Sequence, residues 1–240
     1  AGEAVIYAVL TGDGQGAGLV ELARLLREEG IGRFAVSEPA EAAALRRAGF
    51  VEEEILMLRP TVDRAELEQL IDLNVVCTVG SADTGMALNG AAEARSTVVE
   101  AHIQIDTGMG FGGFLADEPE KILSVYRNLP NVAVSGICTQ LHARKKGGED
   151  LAARLGQFHR VVEAIRAAGF ETALKKYKDI EIVQHINAVE NSTTAFVNAA
   201  DNILSAHPDL DAVLAVNDYG SIAVESAVKS AGKDFKVIAV

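Results

Sequence analysis

The stretch IYAVLTGDGQG, residues 6–16, gives the first indication of how this chain folds. Its first half is apolar and suits a buried strand, and its second half carries alternating glycines that suit a tight loop. Residues 19–29 follow with apolar side chains at helical spacing, and Gly30 ends that pattern. A strand, a loop and a helix in this order make one βα unit, the building block of parallel sheets.

The same unit repeats along all 240 residues. Apolar, β-branched runs predict strands at residues 4–10, 33–37, 55–59, 75–79, 98–106, 132–141, 181–186, 212–216 and 236–240. We expect an α/β fold, a parallel (βα) barrel like the TIM barrel, as a single domain of residues 1–240. The nine predicted strands exceed the eight of that barrel. Either nine strands close the ring, which we favour, or one terminal strand lies outside it.

Helical patterns with clear start signals lie between the strands. Pro39 and Pro119 stand in first turns, and Asp63 is a predicted N-cap with Glu66 three residues later. Residues 82–96 predict only a weak helix, because Gly85 and Gly90 each cost roughly 1 kcal/mol relative to alanine in a helix interior.

The composition is that of a globular protein, with 49% hydrophobic and 23% charged residues. A net charge of -12 disfavours binding to nucleic acid and to anionic membranes. No apolar stretch approaches the ~20 residues of a membrane span and no signal-peptide pattern is present, so we expect a cytoplasmic protein. Cys77 and Cys138 lie in apolar runs and are expected as buried free thiols. We expect a monomer that requires no partner.

Two family resemblances divide the chain. Up to about Gly169 it resembles the N-terminal barrel of the alanine racemases, most closely in RFAVSEP (33–39), EEILMLRP (53–60) and DTGMG (106–110). From residue 170 it resembles a lobe fragment of the ribose-type periplasmic sugar-binding proteins, in FETALKKY (170–177), HPDLDAV (207–213) and VND (216–218). Both families are built from βα units, so one fragment can extend the sheet of the other.

The racemase resemblance implies a site that this chain lacks. It implies a lysine that forms a Schiff base with pyridoxal phosphate where Thr11 stands, and a threonine hydroxyl cannot form that bond. It also implies a tyrosine, a lysine, an arginine and a histidine where the chain has Gln15, Gln104, Phe111 and Gln140. We therefore predict no catalytic residue, no cofactor and no enzymatic activity.

These departures favour an engineered chimeric scaffold without catalytic activity, in which the barrel interior has been repacked for a new fragment. One alternative is a small-molecule or phosphate-binding protein with a neutral polar pocket at the carboxyl ends of the strands. Its candidate residues are Thr11, Gln15, Gln104, Gln140, Gln184 and Asn217. Another alternative is a residual racemase-like protein that binds pyridoxal phosphate.

Three weaker patterns remain. Helix N-termini at Ser192 and Thr193 and at Gly220 and Ser221 are candidate anion sites for a group such as phosphate, although ordinary capping explains them too. Histidines 102, 142 and 185, with Asp106, are metal-capable residue types without a spacing motif, so no metal is predicted. The glycines of residues 12–18 do not follow the GxGxxG spacing of a dinucleotide loop.

Overall fold

The computed structural model describes residues 5–141, 149–174, 180–184, 186, 192–215, 218–232 and 236–239. The chain forms two compact units, Ala1–Phe158 and His159–Val240. The single barrel domain over residues 1–240 stays a prediction. No described helix is long and apolar enough to cross a membrane.

Strands and helices alternate through both units. The strands are β1 (Ala8–Val9), β2 (Arg33–Val36), β3 (Glu54–Met57), β4 (Cys77–Val79), β5 (Val99–Asp106), β6 (Phe114–Leu115), β7 (Val132–Thr139), β8 (Ala212–Ala215) and β9 (Lys236–Ala239). The helices are α1 (Thr11–Gln15), α2 (Leu19–Glu28), α3 (Pro39–Arg47), α4 (Arg64–Asp72), α5 (Ala82–Ala94), α6 (Pro119–Asn128), α7 (Glu149–Leu174), α8 (Thr193–Ala206) and α9 (Asp218–Ser230).

The first unit is built on parallel strands in sequential order. One sheet runs β1-β2-β3, and a second is centred on β5, which pairs with β4, β6 and β7. A parallel bridge between Leu56 and Val76 connects β3 to the start of β4. The chain is thus α/β with parallel sheets, as predicted. The described strands form no closed ring, so closure with eight or nine strands stays a prediction.

Strand β5 organises the first unit, because its two faces differ in polarity. Its buried residues Val99, Ala101, Ile103 and Ile105 alternate with the less buried Glu100, His102, Gln104 and Asp106. The alternation follows from the two-residue period of a strand. One face of β5 therefore adds to the core, and the other carries a column of polar side chains from its amino end to its carboxyl end.

Arg46, near the end of α3, links two chain connections, the one between α3 and β3 and the one between α4 and β4. Its guanidinium donates to the carbonyl oxygens of Leu73 at 2.8 Å, Asn74 at 2.9 Å, and Phe50 and Glu53 at 2.7 Å each. Burial lowers the pKa of Arg46, and Glu53 opposes that shift. These bonds satisfy four backbone acceptors, of which Leu73 is the C-cap of α4, where a carbonyl oxygen lacks an intrahelical partner.

The second unit has a smaller core. Its parallel sheet consists of β8 and β9, with residues 212–215 in register with residues 236–239. Helices α8 and α9 contribute to a buried cluster that includes Leu204, Val213, Val224 and Val228. Small and β-branched side chains allow the helices to lie close to this short sheet.

The predicted and observed strands differ at two places. The described residues of the segment 181–186 form no strand; Ile182 and Val183 are exposed, and Gln184 Oε1 lies 2.9 Å from His207 Nε2. Apolar alternation predicted a strand there, but a strand also needs a neighbour for its ladder hydrogen bonds. In contrast, β6 was not predicted, because two residues are too short to show a period.

Candidate functional site

A cavity of about 460 Å³ lies at the carboxyl end of β5. We call it the β5 cavity, and it is lined by Asp106, Thr107, Gly108, Leu115, Ala116, Asp117, Ala153, Arg154 and Gln157. The last residue of β5 and the loop after it, the last residue of β6 and the segment after it, and one face of α7 contribute these residues. Its position matches the place where (βα) barrels carry their chemistry, at the carboxyl ends of the strands.

The carboxylate of Asp106 fixes the loop that follows β5. Its Oδ1 accepts hydrogen bonds from the backbone N–H groups of Gly108 at 2.7 Å and Met109 at 2.9 Å, and both oxygens lie 3.2 Å from the nitrogen of Gly110. Partial burial alone would raise the pKa of Asp106. The three N–H donors and the nearby Arg154 outweigh that effect and lower the pKa, so the charged form is favoured.

Arg154 reaches the same loop from α7. This side chain is buried, with 8% exposure, and its Nη1 donates to the carbonyl oxygen of Thr107 at 3.1 Å. A methyl group placed on Gly108 would lie 3.1 Å from that Nη1, so the absence of a side chain there leaves room for the guanidinium. Buried charges are stable when they are paired, and Asp106 supplies the opposite charge.

Two threonines connect the first residue of this loop to the end of β7. The hydroxyl oxygens of Thr107 and Thr139 lie 3.0 Å apart, and Thr139 Oγ1 donates to the carbonyl oxygen of Ile105 at 2.8 Å. Thr107 is buried. The loop after Asp106 is therefore fixed both by its hydrogen bonds to the Asp106 carboxylate and by the hydrogen bonds that Thr139 makes to Thr107 and Ile105.

A second polar group, the amino-end cluster, lies toward the amino ends of β1, β2, β3 and β5 and comprises Tyr7, Arg33, Glu54, Glu100 and His102. The Tyr7 hydroxyl donates to Glu54 Oε1, and Arg33 Nε lies 3.5 Å from Glu54 Oε2. The rings of Tyr7 and His102 meet edge to face with centroids 6.2 Å apart. Barrel residues at this end of the strands ordinarily support stability and not catalysis.

Burial shifts two pKa values in the amino-end cluster. It raises the pKa of Glu54, and the nearby Glu100 raises it further. It lowers the pKa of His102; Glu100 opposes this shift and Arg33 adds to it. Both groups are therefore biased toward their neutral forms.

The predicted neutral pocket residues occupy several different environments. Thr11 and Gln15 begin and end α1, whose Gly12, Asp13 and Gly14 have φ of 66°, 54° and 63° and form a left-handed turn. Gln15 and Gln140 are exposed, and Gln184 belongs to the second unit. Asn217 lies outside the described residues. Convergence of these side chains into one pocket stays a prediction.

Gln104 is the predicted pocket residue with the most unusual surroundings. It lies on the polar face of β5, between His102 and Asp106. Its Oε1 is buried and has no hydrogen-bond partner among the described residues. A buried acceptor without a partner costs free energy, so this amide oxygen is a polar group of the β5 face that the described residues do not satisfy.

The predicted anion positions lie at the starts of two helices. Ser192 caps α8, since its Oγ accepts a hydrogen bond from the backbone nitrogen of Ala195 at 3.2 Å, and Thr193 is the first residue of that helix. Gly220 and Ser221 lie in the first turn of α9. Anion binding at either place stays a prediction. Of the histidines considered as metal ligands, His142 and His185 lie outside the described residues, and the described part of the chain contains no group of three metal-capable side chains.

Sequence reasoning missed three residues of the β5 cavity: Asp117, Arg154 and Gln157. Arg154 meets Thr107 across a separation of 47 residues, and no local pattern reports such a contact. One signal was available in the spacing of Ala153, Arg154 and Gln157, which places them near one another on a helix that follows a strand. The strand end at Asp106 was recognised, but its partners were not.

Two protein families match this chain. The alanine racemase N-terminal domain matches residues 1–178, and the periplasmic binding protein domain matches residues 134–240. Both predicted resemblances are thus confirmed, and the two matches, which overlap over residues 134–178, are consistent with a fusion of the two families.

Curated relatives and solved structures agree on the first family. The alanine racemase of Clostridium tetani is 37% identical over 134 residues, 55% of this chain and 34% of that protein. That of Carboxydothermus hydrogenoformans is 32% identical over 166 residues, 68% of this chain and 44% of that protein. The chain therefore spans less than half the length of either relative.

Among solved structures, the alanine racemase of Clostridium difficile 630 in complex with cycloserine matches with a TM-score of 0.64 and 26% identity, over 69% of this chain and 45% of that chain. The alanine racemase of Corynebacterium glutamicum matches with a TM-score of 0.60 and 27% identity, over 71% and 48%. The likeness to the racemase barrel thus extends from sequence to backbone.

These matches contradict two predictions from the sequence. The prediction of an engineered scaffold without catalytic activity is wrong, and so is the prediction that the chain is not an enzyme, because the relatives at 32–37% identity are alanine racemases. Those predictions relied on a few positions, such as Thr11 and Gln15, whereas the family match extends over residues 1–178. The racemase-like alternative agrees better with the relatives.

Proposed function

We propose, because this chain belongs to the alanine racemase N-terminal domain family, that it is a racemase-like protein that inverts the configuration at Cα of an amino acid. The observation that carries the proposal is the family match over residues 1–178, which includes every strand from β1 to β7. The β5 cavity supports it, because it lies at the carboxyl ends of the strands, where barrel enzymes bind their substrates.

Pyridoxal phosphate, the cofactor that the family resemblance implies, does not fit the residues at the end of β1. Covalent attachment needs a primary amine, and Thr11 offers a hydroxyl. The described residues contain three lysines. Lys121 and Lys229 lie on α6 and α9 and are ion-paired with Glu118 and Glu225, and Lys236 begins β9 in the second unit. The described residues at the end of β1 therefore cannot bind this cofactor covalently.

Inversion at Cα requires that a proton leave one face of the carbon and that another arrive on the opposite face. The activity is tested by incubating the protein with a panel of L-amino acids in D₂O, with and without added pyridoxal phosphate. Loss of the α-proton signal by NMR and formation of the D-enantiomer by chiral chromatography are expected. Absence of exchange for every amino acid under both conditions would overturn the proposal, and heat-denatured protein serves as the control.

The Thr11→Lys variant tests the assignment at the end of β1. After incubation with pyridoxal phosphate and borohydride, this variant should carry a stable covalent adduct on residue 11, located by peptide mass mapping. The unsubstituted chain should carry none in residues 6–16. An adduct on the unsubstituted first loop would show that the fit argument is incorrect.

A cytoplasmic location is part of the same proposal. The free thiols of Cys77 and Cys138 support it, because unpaired cysteines are typical of reducing compartments. Burial raises the pKa of Cys77 to about 12 and that of Cys138 to about 11, so both are poor nucleophiles and serve packing.

A further inference from the structure

The β5 cavity contains charges of both signs in a definite arrangement. Arg154 and Asp106, which we call the inner pair, both line it and both bond to the loop after β5, and the charge of Arg154 acts on the carboxylate of Asp106. Asp117 lies two residues beyond β6 and is exposed. The three side chains together carry one more negative than positive charge.

The inner pair matches the two charges of an α-amino acid. An amino acid carries a carboxylate and an ammonium group on one carbon, so it needs a cation and an anion at adjacent positions. A guanidinium binds a carboxylate with parallel N–H donors. A carboxylate has about four lone-pair sites, and Asp106 Oδ2 accepts one backbone bond, from Gly110.

The cavity has space and lining residues beyond Arg154 and Asp106. Its volume of about 460 Å³ lies in the range of about 300–1,000 Å³ that is typical for whole small-molecule ligands. Alanine, with a single methyl side chain, would leave most of that volume to water. The methyl and isobutyl groups of Ala116, Ala153 and Leu115 line the remainder, and Asp117 and Gln157 add polar groups. An aliphatic chain that ends in a cation suits this lining.

We infer that the β5 cavity binds an amino acid with a cationic side chain, with Arg154 at the α-carboxylate, Asp106 at the α-ammonium and Asp117 at the terminal cation. The inference rests on the proposed function and names its substrate class. A net negative lining then meets a ligand of net positive charge, and each ligand charge faces its opposite.

Calorimetric titration with three probes tests this assignment. L-lysine carries all three charges, L-norleucine lacks the terminal cation, and cadaverine lacks the carboxylate. Loss of one charge-assisted contact should weaken binding about tenfold or more, so L-lysine should bind about tenfold or more tightly than either analogue. Equal binding of L-lysine and L-norleucine, or no binding of L-lysine, would overturn the inference.

A matched pair of exposed aspartates locates the terminal cation. Asp117→Asn should weaken L-lysine binding about tenfold and leave L-norleucine binding unchanged. Asp83→Asn, at an exposed aspartate in the first turn of α5, should change neither affinity. If Asp117→Asn leaves the affinity for L-lysine unchanged, Asp117 is not the contact and the assignment fails.

Binding and turnover separate this inference from the proposed function. Binding of L-lysine without α-proton exchange would support the cavity assignment and count against the racemase-like activity. Exchange of alanine without binding of L-lysine would do the reverse. Since titration needs no turnover, failure of either proposal is seen independently of the other.

Discussion

Titratable side chains lie in opposite settings in the amino-end cluster and at the carboxyl end of β5. At the amino end, burial biases Glu54 and His102 toward their neutral forms. At the carboxyl end, backbone donors and Arg154 hold Asp106 in its charged form. A neutral group packs at low cost, whereas a charged group that is kept charged can bind a charged ligand. We therefore assign support of the fold to the amino-end cluster and recognition of a charged ligand to the carboxyl end of β5.

The space around two glycines also differs between the carboxyl end of β5 and the amino-end cluster. At the carboxyl end, a methyl group on Gly113 would lie 2.8 Å from the backbone nitrogen of Asp106. At the amino end, a methyl group on Gly136 would lie 2.5 Å from the imidazole of His102. The first clash is with backbone and the second with a side chain, so the carboxyl end is the less adaptable of the two.

The largest effect is expected for Gly113→Ala. Gly113 has a φ of 114°, and its neighbours at 2.8–3.0 Å are backbone atoms that cannot rotate away. Positive-φ strain and overpacking together should lower the free energy of unfolding by about 3 kcal/mol, measured by urea denaturation. Gly32→Ala is the matched control, because a methyl group there meets nothing within 4 Å. A Gly113→Ala variant as stable as that control would show that the backbone at the carboxyl end of β5 adapts to an added methyl group.

Gly136→Ala should cost less, about 2 kcal/mol, because the His102 ring can move. In a His102→Ala background the same substitution should cost little, since the clashing ring is gone. A double-mutant cycle by urea denaturation measures this coupling. Additive effects would mean that Gly136 serves the β7 backbone and not the His102 ring.

Asp106→Asn should lower the free energy of unfolding at neutral pH by about 1 kcal/mol, after allowance for solvent screening of a partly exposed carboxylate. The pKa of Asp106 is lowered in the folded protein. Its stabilising charge is therefore present above the unfolded pKa and lost as the pH falls through the folded pKa. The difference between the two proteins should vanish in acid. A constant difference at every pH would point to packing instead of charge.

The smallest effects are expected from the amino-end cluster, and they have opposite signs. Because the pKa of His102 is lowered, the unfolded chain binds its proton more readily, and the folded protein loses stability as the pH falls below about 6.5. Because the pKa of Glu54 is raised, the folded protein loses stability as the pH rises above about 4.5.

His102→Gln should remove the loss on the acid side, and Glu54→Gln should remove the loss on the alkaline side. Denaturation midpoints across pH 4–8 measure both slopes. If both substitutions change the pH profile in the same direction, the opposite pH dependences assigned to His102 and Glu54 are wrong.

Local sequence signals predicted much of the fold. Pro39 and Pro119 are the first residues of α3 and α6, and Asp63 Oδ1 accepts from the backbone nitrogen of Glu66 at 2.9 Å, as expected of an N-cap. Glu66 does not complete the expected pair, because its carboxylate bonds to Arg59. The four-residue pattern cannot predict that Arg59 binds the Glu66 carboxylate in place of the N-cap backbone.

Gly85 shows why a propensity estimate underrated α5. Glycine lowers intrinsic helix stability, but a methyl group at this position would lie 2.8 Å from Leu129 Cδ1. The helix spans Ala82–Ala94 because its packing outweighs its propensity. The β5 cavity was missed for a related reason. The contact between Arg154 and Thr107 is made by the fold, and only the strand end at Asp106 has a local signature.

The carbonyl contacts of Arg46 have a consequence for motion. One guanidinium binds the backbone oxygens of Phe50 and Glu53, between α3 and β3, and those of Leu73 and Asn74, between α4 and β4. To open either connection, this side chain must release contacts while it still holds the other connection. We therefore expect the two connections to exchange their amide hydrogens as one cooperative unit, with a common opening free energy instead of two separate ones.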